Sequence, residues 1–262
     1  DFPTDSESVD YAARRFRYVY DTYLRNAGTK TYLSLIPDKN TFIASQNGYP
    51  DKDYKALTER LRSGFPEAKY IDISGLLSAD DFYYTDSHWR QERITKVADE
   101  IAAQMGAERI GTCEIQDTGR PFYGVYYGQA ALPHAPERLF YLDNAVIRGL
   151  KVHNAETSSD IPVYDLSAAA GRDPYEMFLG GARSIIKITN PNAAQERRLI
   201  VFRDSFGSSI APLLAAGYSE ITLVDIRYIS PSSLGKLIDF TKADDALFLY
   251  SASVINNSET IK

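Results

Sequence analysis

The sequence predicts an α/β protein built on a mostly parallel sheet, with helices on both faces and an irregular antiparallel insertion. Strands alternate with amphipathic helices at both ends of the chain, the pattern of a sheet wound by crossover helices. Residues 198–203, RLIVFR, carry a continuous apolar middle rather than an alternating one, as a strand covered on both faces requires. A length of 262 residues and an apolar content of 44% suit a single domain spanning 1–262 with a substantial core.

The first element is a helix over residues 7–27. Val9, Ala13, Phe16, Tyr20, Tyr23, Leu24 and Ala27 recur at three- and four-residue spacing, and Gly28 is placed to stop it. Residues 30–36, KTYLSLI, read as a strand ended by Pro37. A helix over 51–63 carries Tyr54, Leu57 and Leu61 on one face, and a short strand follows at 69–73. Over 89–105, Ile94, Val97, Ala98, Ile101, Ala102 and Met105 form one apolar stripe, so a helix is expected there. Between about 107 and 190 the pattern changes: Gly, Pro and Tyr are frequent and long helical stripes are absent. Short strands at 138–142, 146–153 and 184–188 make this an insertion or irregular half within the domain. Strand 198–203, a turn, a short helix with Ile210, Leu213 and Leu214, strand 220–225, a helix at 232–240 and strand 246–250 complete the chain. The final residues, NNSETIK, are polar and expected to be loose.

Composition narrows the function. The net charge is −6 and no basic cluster runs along the chain, which argues against nucleic acid as a partner. One cysteine, Cys113, excludes a disulfide within the monomer and a cysteine-based zinc site. His134 and His153 have no acidic or histidine partner at ligand spacing, so neither a metal nor a cofactor is expected. No apolar run approaches the ~18 residues of a membrane helix. The first residue is Asp rather than Met, as in a trimmed or processed chain with a signal or anchor upstream. Nineteen tyrosines suit either stacking on sugars or packing at the edge of a core.

Two stretches carry the chemistry. In FRDSFGSS, residues 202–209, Ser205 follows an apolar strand and precedes a helix. A nucleophilic serine needs that place. The strand end projects its hydroxyl into the crevice at the carboxyl edge of the sheet, and the helix start offers backbone N–H groups to an oxyanion. Gly207 permits the tight turn and a close substrate approach. Asp and Ser are also preferred N-cap residues, so the junction has a purely structural reading too. In TDSHW, residues 85–89, Asp86 and His88 stand two apart, and an extended segment turns them to one side. The carboxylate can then orient the imidazole, which takes the serine proton. The competing reading is that Asp86 or Ser87 caps the helix after Trp89, although no capping box is present. Arg203 is placed either to bind an anionic substrate group or to serve as an ion-pair partner. Trp89 either packs the His-bearing turn or stacks on sugar. Lys39, in PDKN, reads as a loop residue, with contact to the site as the minor alternative.

Together DSHW and RDSFGSS resemble the DHHW family, whose name-giving motif reads Asp86-Ser87-His88-Trp89 here. SLIPDK at 34–39, FYGVYYGQ at 122–129, YEMFLGG at 175–181 and APLLAAGYSEITLVDIRYI at 211–229 extend the resemblance along nearly the whole chain. The family in turn is similar to the SGNH-hydrolase-like proteins of alginate O-acetylation, in which the Asp-x-His pair precedes the serine. The resemblance implies a three-layer α/β/α sandwich and a Ser205–His88–Asp86 triad. It implies an O-acetyltransferase or acetyl esterase acting on an acetylated glycan, an extracellular or cell-wall polysaccharide, without a cofactor. A location outside the cytoplasm in a bacterial envelope follows, with a membrane protein as acyl donor. Two departures mark the chain: Ser87 replaces the first His of the motif, and Ala182 stands after Gly180-Gly181 where an Asn would offer an oxyanion donor. The backbone N–H groups of Ser205 and Gly181 are the expected oxyanion donors instead. The alternative is a non-catalytic carbohydrate-binding or scaffold module, with YGVYY at 123–127, Tyr126 at its centre, as the binding surface.

Overall fold

The computed structural model describes residues 3–130 and 134–262. Ten strands run in chain order: β1 Lys30–Ile36, β2 Lys69–Tyr70, β3 Glu114–Phe122, β4 Glu137–Asp143, β5 Lys151–Asn154, β6 Ser159–Ile161, β7 Ile185–Thr189, β8 Arg198–Arg203, β9 Glu220–Val224 and β10 Asp245–Ser251. Eight of them form one sheet in the order β2-β1-β10-β8-β9-β7-β5-β6. From β2 to β9 the neighbours are parallel; β7, β5 and β6 continue the sheet antiparallel. β3 and β4 pair antiparallel in a separate two-stranded hairpin, whose register shifts between Asp117 and Pro121.

The three layers follow from the alternation of side chains along buried strands. Leu33, Leu35, Ile200, Phe202 and Phe248 pack on one side against helices Ser6–Val19 and Tyr54–Gly64. Tyr32, Leu199, Val201, Leu247 and Leu249 pack on the other, against helix Thr95–Met105 and the turns of 211–217. A smaller third cluster, including Tyr83, Phe122, Tyr175 and Phe178, lies under the hairpin. The carboxyl ends of β1, β8 and β10 lie side by side in the sheet, and the site forms beyond them.

Local details depart from the sequence reading for identifiable reasons. Residues 146–153 are not one strand: Asn144 caps a short helix, Ala145–Gly149, by accepting from the Ile147 N–H at 2.9 Å, and only Lys151–Asn154 is extended. The helix expected from Trp89 begins at Thr95. Gln91–Arg93 forms a 3₁₀ turn before it, and Trp89 and Ile94 are buried from outside the helix. Residues 232–240 form two 3₁₀ segments, Pro231–Lys236 and Phe240–Lys242, the second capped by Asp239.

The C-terminus is not loose. Ile261 and Ser258 are fully buried. The Ser258 hydroxyl donates to the Ser8 carbonyl, Tyr11 Oη donates to the Ile261 carbonyl at 2.9 Å, and the Lys262 N–H donates to the Ile226 carbonyl at 3.0 Å. A polar stretch conceals one isoleucine that plugs the face packed by the first helix. Removing residues 258–262 should therefore cost about 3 kcal/mol or more, from one buried isoleucine and several hydrogen bonds. Equilibrium urea unfolding of the truncated and full chains measures it; equal midpoints would refute it.

Candidate active site

The loop that bears Asp86 and His88 is closed by its own ends. Phe82 and Trp89 form an antiparallel bridge, the Tyr83 N–H donates to the His88 carbonyl at 3.1 Å, and the Arg90 N–H donates to the Asp81 carbonyl at 2.8 Å. Inside it, Asp86 Oδ1 accepts from the His88 backbone N–H at 2.9 Å and from His88 Nδ1 at 2.6 Å. Asp86 Oδ2 accepts from the Val125 N–H at 2.9 Å. Burial alone would raise the Asp86 carboxyl. The His88 ring, its charge and the two backbone donors outweigh that and hold the pKa below the ordinary carboxylate value. Asp86 therefore does not cap the following helix; it orients the imidazole.

Ser205 begins the turn after β8, and its Oγ stands 2.7 Å from His88 Nε2. With Nδ1–H donated to a carboxylate, Nε2 is the acceptor and the serine hydroxyl the donor. The N-cap reading of this junction is satisfied by the neighbouring residue. Asp204 Oδ1 accepts from the Phe206 N–H at 3.1 Å, and its Oδ2 accepts from the Ser251 N–H at 2.7 Å. Capping is thus done by Asp204, and the Ser205 hydroxyl is left for the histidine.

The imidazole plane is fixed by packing. Tyr175 stacks on His88 with centroids 3.9 Å apart and planes 15° apart, and Phe206 lies against the ring at 4.9 Å. Tyr175 Oη and Trp89 Nε1 both donate to Ser209 Oγ, at 2.7 and 2.8 Å. Ser209 in turn donates to the Phe206 carbonyl at 3.2 Å. Trp89 is fully buried, so it packs the His-bearing turn and cannot stack on sugar.

Other expected site residues need correction. Arg203 is fully buried; it lies 3.8 Å from Asp225 and donates to the Asp204 carbonyl at 3.3 Å, so it is an internal partner and does not reach a substrate. Gly207 serves that arginine rather than a substrate: a Cβ there would stand 2.6 Å from Arg203 Cβ. The Gly181 N–H is spent on the Phe178 carbonyl at 3.1 Å and is not an oxyanion donor. Its φ of +75° and the approach of Glu176 explain the glycine. The Ser205 N–H has no acceptor among the described residues and remains available. Tyr126 lines the cleft beside Ser205 and His88. His134 stacks on Tyr84, and His153 pairs with Asp160 at the surface.

Two braces were not evident from sequence. Lys39, two residues beyond Pro37, donates all three ammonium protons to carbonyls of the triad loop: Tyr83 at 2.8 Å, Tyr84 at 3.0 Å and Asp86 at 3.1 Å. Burial draws its pKa below the ordinary lysine value, opposed by the Glu137 and Asp86 carboxylates. Glu137, at the start of β4, accepts from the Tyr84 and Thr85 N–H groups at 2.8 and 2.7 Å and from the Thr85 hydroxyl at 2.7 Å. Gly124 makes the hairpin's approach possible, since a Cβ there would fall 2.3 Å from the Thr85 carbonyl oxygen. In sequence Lys39 reads as a loop residue of PDKN, and Glu137 carries no local signal, because its partners lie about fifty residues away.

The cleft holds about 680 Å³ and is lined by polar groups. A DHHW protein family profile matches residues 76–224, which include Asp86, His88 and Ser205. No curated protein sequence matches the chain. Among solved structures, the chain is similar to a DHHW family protein from Eubacterium siraeum, with 18% identity over 95% of this chain and 87% of that one and a TM-score of 0.72. Bacillus cereus PatB1 is similar at 19% identity over 99% and 93%, with a TM-score of 0.77, and has also been solved with a sulfonyl adduct. The O-acetyltransferase domain of Pseudomonas putida AlgJ shares the fold more distantly, at 13% identity over 95% and 84% and a TM-score of 0.54.

The geometry has two testable consequences. Lys39→Met and Glu137→Gln should each lower kcat/KM for a small activated acetyl ester by about 10- to 100-fold, mainly in kcat, because an ångström of triad displacement has that effect. Unchanged kinetics in both would remove the bracing role. The depressed Asp86 pKa adds stability that is complete above the ordinary carboxyl pKa of about 4 and is lost as pH falls through the lower folded value. The stability difference between the parent and Asp86→Asn should be flat from pH 5 to 7 and narrow below about pH 4, as read by urea unfolding; a difference that widens on acidification would contradict it.

Proposed function

We propose, for a chain that belongs to the DHHW family, a serine-dependent acyl transfer in which Ser205 is the nucleophile, His88 the base and Asp86 its orienting carboxylate. The observation that carries this reading is the continuous contact from Ser205 Oγ to His88 Nε2 at 2.7 Å and from His88 Nδ1 to Asp86 at 2.6 Å. The contact spans 117 residues of chain and lies in an open cleft, at the end of a parallel strand. A non-catalytic glycan-binding module would have no use for a serine hydroxyl held on an oriented imidazole.

The steps follow from the roles. Ser205 Oγ attacks the carbonyl carbon of an acetyl ester while its proton passes to His88 Nε2. The oxyanion is met by the Ser205 N–H. Collapse breaks the bond to the leaving alkoxide, which takes the proton from His88, and leaves acetyl-Ser205. An acceptor hydroxyl then gives its proton to His88 and attacks the acetyl carbon; Ser205 leaves and recovers the proton. The acceptor is a sugar hydroxyl or water. The fold shared with AlgJ's O-acetyltransferase domain supports O-acetyl chemistry; an envelope polysaccharide outside the cytoplasm as acceptor and a membrane partner as acyl donor are part of the same proposal. Among the described residues no helix is long and apolar enough to cross a membrane.

Hydrolysis of an activated acetyl ester by the parent, Ser205→Ala and His88→Ala is the direct test. Loss of a working triad member should lower kcat by roughly 10³- to 10⁶-fold with folding intact. Turnover that persists in Ser205→Ala would refute the assignment.

A further inference from the structure

The charges around the cleft are not evenly committed. Two cationic side chains, Lys39 and Lys52, line it among the described residues. Lys39 has one carbonyl acceptor for each ammonium proton, and Lys52 is ion-paired with Asp38. The second Asp38 oxygen accepts from the Ser253 N–H at 3.0 Å. Asp51 also lines the cleft, and no cation among the described residues forms an ion pair with its carboxylate. An anionic ligand would thus face the Asp51 charge and the buried Asp86 carboxylate, with no cation released to meet it.

Asp51 accepts from the Lys52 backbone N–H at 2.8 Å, and the cleft side chains left without a hydrogen bond among the described residues are neutral. Asn40, Ser87, Gln129 and Tyr126 line the same cleft, and their side chains make no hydrogen bond among the described residues. The cleft continues past Asn40 and Pro50 into a second hollow of about 460 Å³, walled by Ile43, Ala44, Asn47 and Tyr49. That extension holds no charged residue, and Tyr49 is 70% exposed there. Amides and hydroxyls beside an exposed aromatic face are groups that hydrogen-bond sugar hydroxyls and cover a pyranose ring.

We propose that the acyl acceptor is an uncharged glycan, recognised by Asn40, Ser87, Gln129 and Tyr126 and extended over Tyr49, and that the cleft rejects uronate polymers. The inference rests on the acyl-transfer reading above. Acetyl-Ser205 loses its acetyl group to a sugar hydroxyl, whose proton passes to His88 Nε2 and then to Ser205 Oγ. Discrimination comes chiefly from unfavourable charge in the cleft, an element of specificity that is repulsive rather than attractive.

The test gives the whole chain p-nitrophenyl acetate as donor and two acceptor sets of matched length. One is a β-1,4-linked N-acetylglucosamine oligomer series and the other a 1,4-linked uronic acid series. Mass spectrometry follows both acetyl-Ser205 and acetylated oligomer. The expected result is transfer to the neutral series at least 10-fold above the uronate series. Tyr49→Ala and Gln129→Ala should each shift product several-fold from transfer towards hydrolysis. Asp51→Lys should narrow the neutral preference several-fold, and added salt should do the same. Equal or better transfer to uronates, or acetyl-Ser205 that passes to neither series, overturns the inference alone. Absence of acetyl-Ser205, with ester turnover no faster than in Ser205→Ala, removes the acyl-transfer reading and the inference with it.

Discussion

The carboxylate of Asp86, taken out of water and held by N–H donors, is the constraint on which the rest of the site depends. A buried charge is tolerated only when hydrogen bonds replace its hydration. Asp86 gets three: the His88 ring, the His88 backbone and the Val125 backbone. The first two come from its own tight loop. The third must come from the hairpin, so the segment that carries Val125 has to lie directly on the loop. That requirement explains a glycine at 124, where any side chain would strike Thr85 and Asp86. It also explains Glu137, which binds the same loop from the hairpin's other strand. Lys39 completes the arrangement from the sheet by collecting the loop's outward carbonyls.

Ser205 rests on a second ionic layer, just below the end of β8. Arg203 and Arg227 face Asp225, while Asp204 ties the turn to the end of β10. Two arginines and two aspartates leave this layer near neutrality, which suits a region with no water to screen it. Burial lowers the Arg203 pKa and the Asp225 carboxylate opposes the shift. The consequence for Ser205 is positional. Its backbone is pinned on one side by Asp204 and on the other by Gly207, which lets the arginine stem pass beneath. A lysine at 203 would lack the planar fork that serves a carboxylate and carbonyls together.

Much of this was legible in the chain, and the limits have physical causes. Lys30–Ile36 and Arg198–Arg203 emerge as strands with the bounds read from sequence, because continuous apolar runs bounded by Pro37 and by a Ser-Gly turn leave little choice. The Asp86–His88 pair was readable because two-residue spacing is local geometry. What could not be read depends on long-range contact. Gly181 and Gly207 look like substrate-facing glycines, yet both exist to let a neighbouring side chain pass. Arg203 looks like an anion binder because sequence shows its neighbour Ser205 and not its partner Asp225. The tail looks loose because one buried Ile261 is outvoted by six polar or charged neighbours.

The two walls of the cleft differ in how they are built. Ser205, Lys39 and Ser251 stand at or just beyond the ends of adjacent strands, where the sheet's hydrogen-bond ladder fixes their spacing. The wall opposite is built differently. Residues 38–52 and 123–129 are short helical turns and loops rather than strands, held by contacts such as the Ser253 N–H to Asp38 and the Tyr126 N–H to the Thr85 carbonyl. Substitutions in those segments can change the charge of the cleft without moving the strand ends. A fold retained at 18–19% identity is consistent with a sheet edge that resists sequence change. Asn40, Asp51 and Gln129 belong to those segments, so the polarity and charge of this wall are set apart from the Ser205–His88–Asp86 contact.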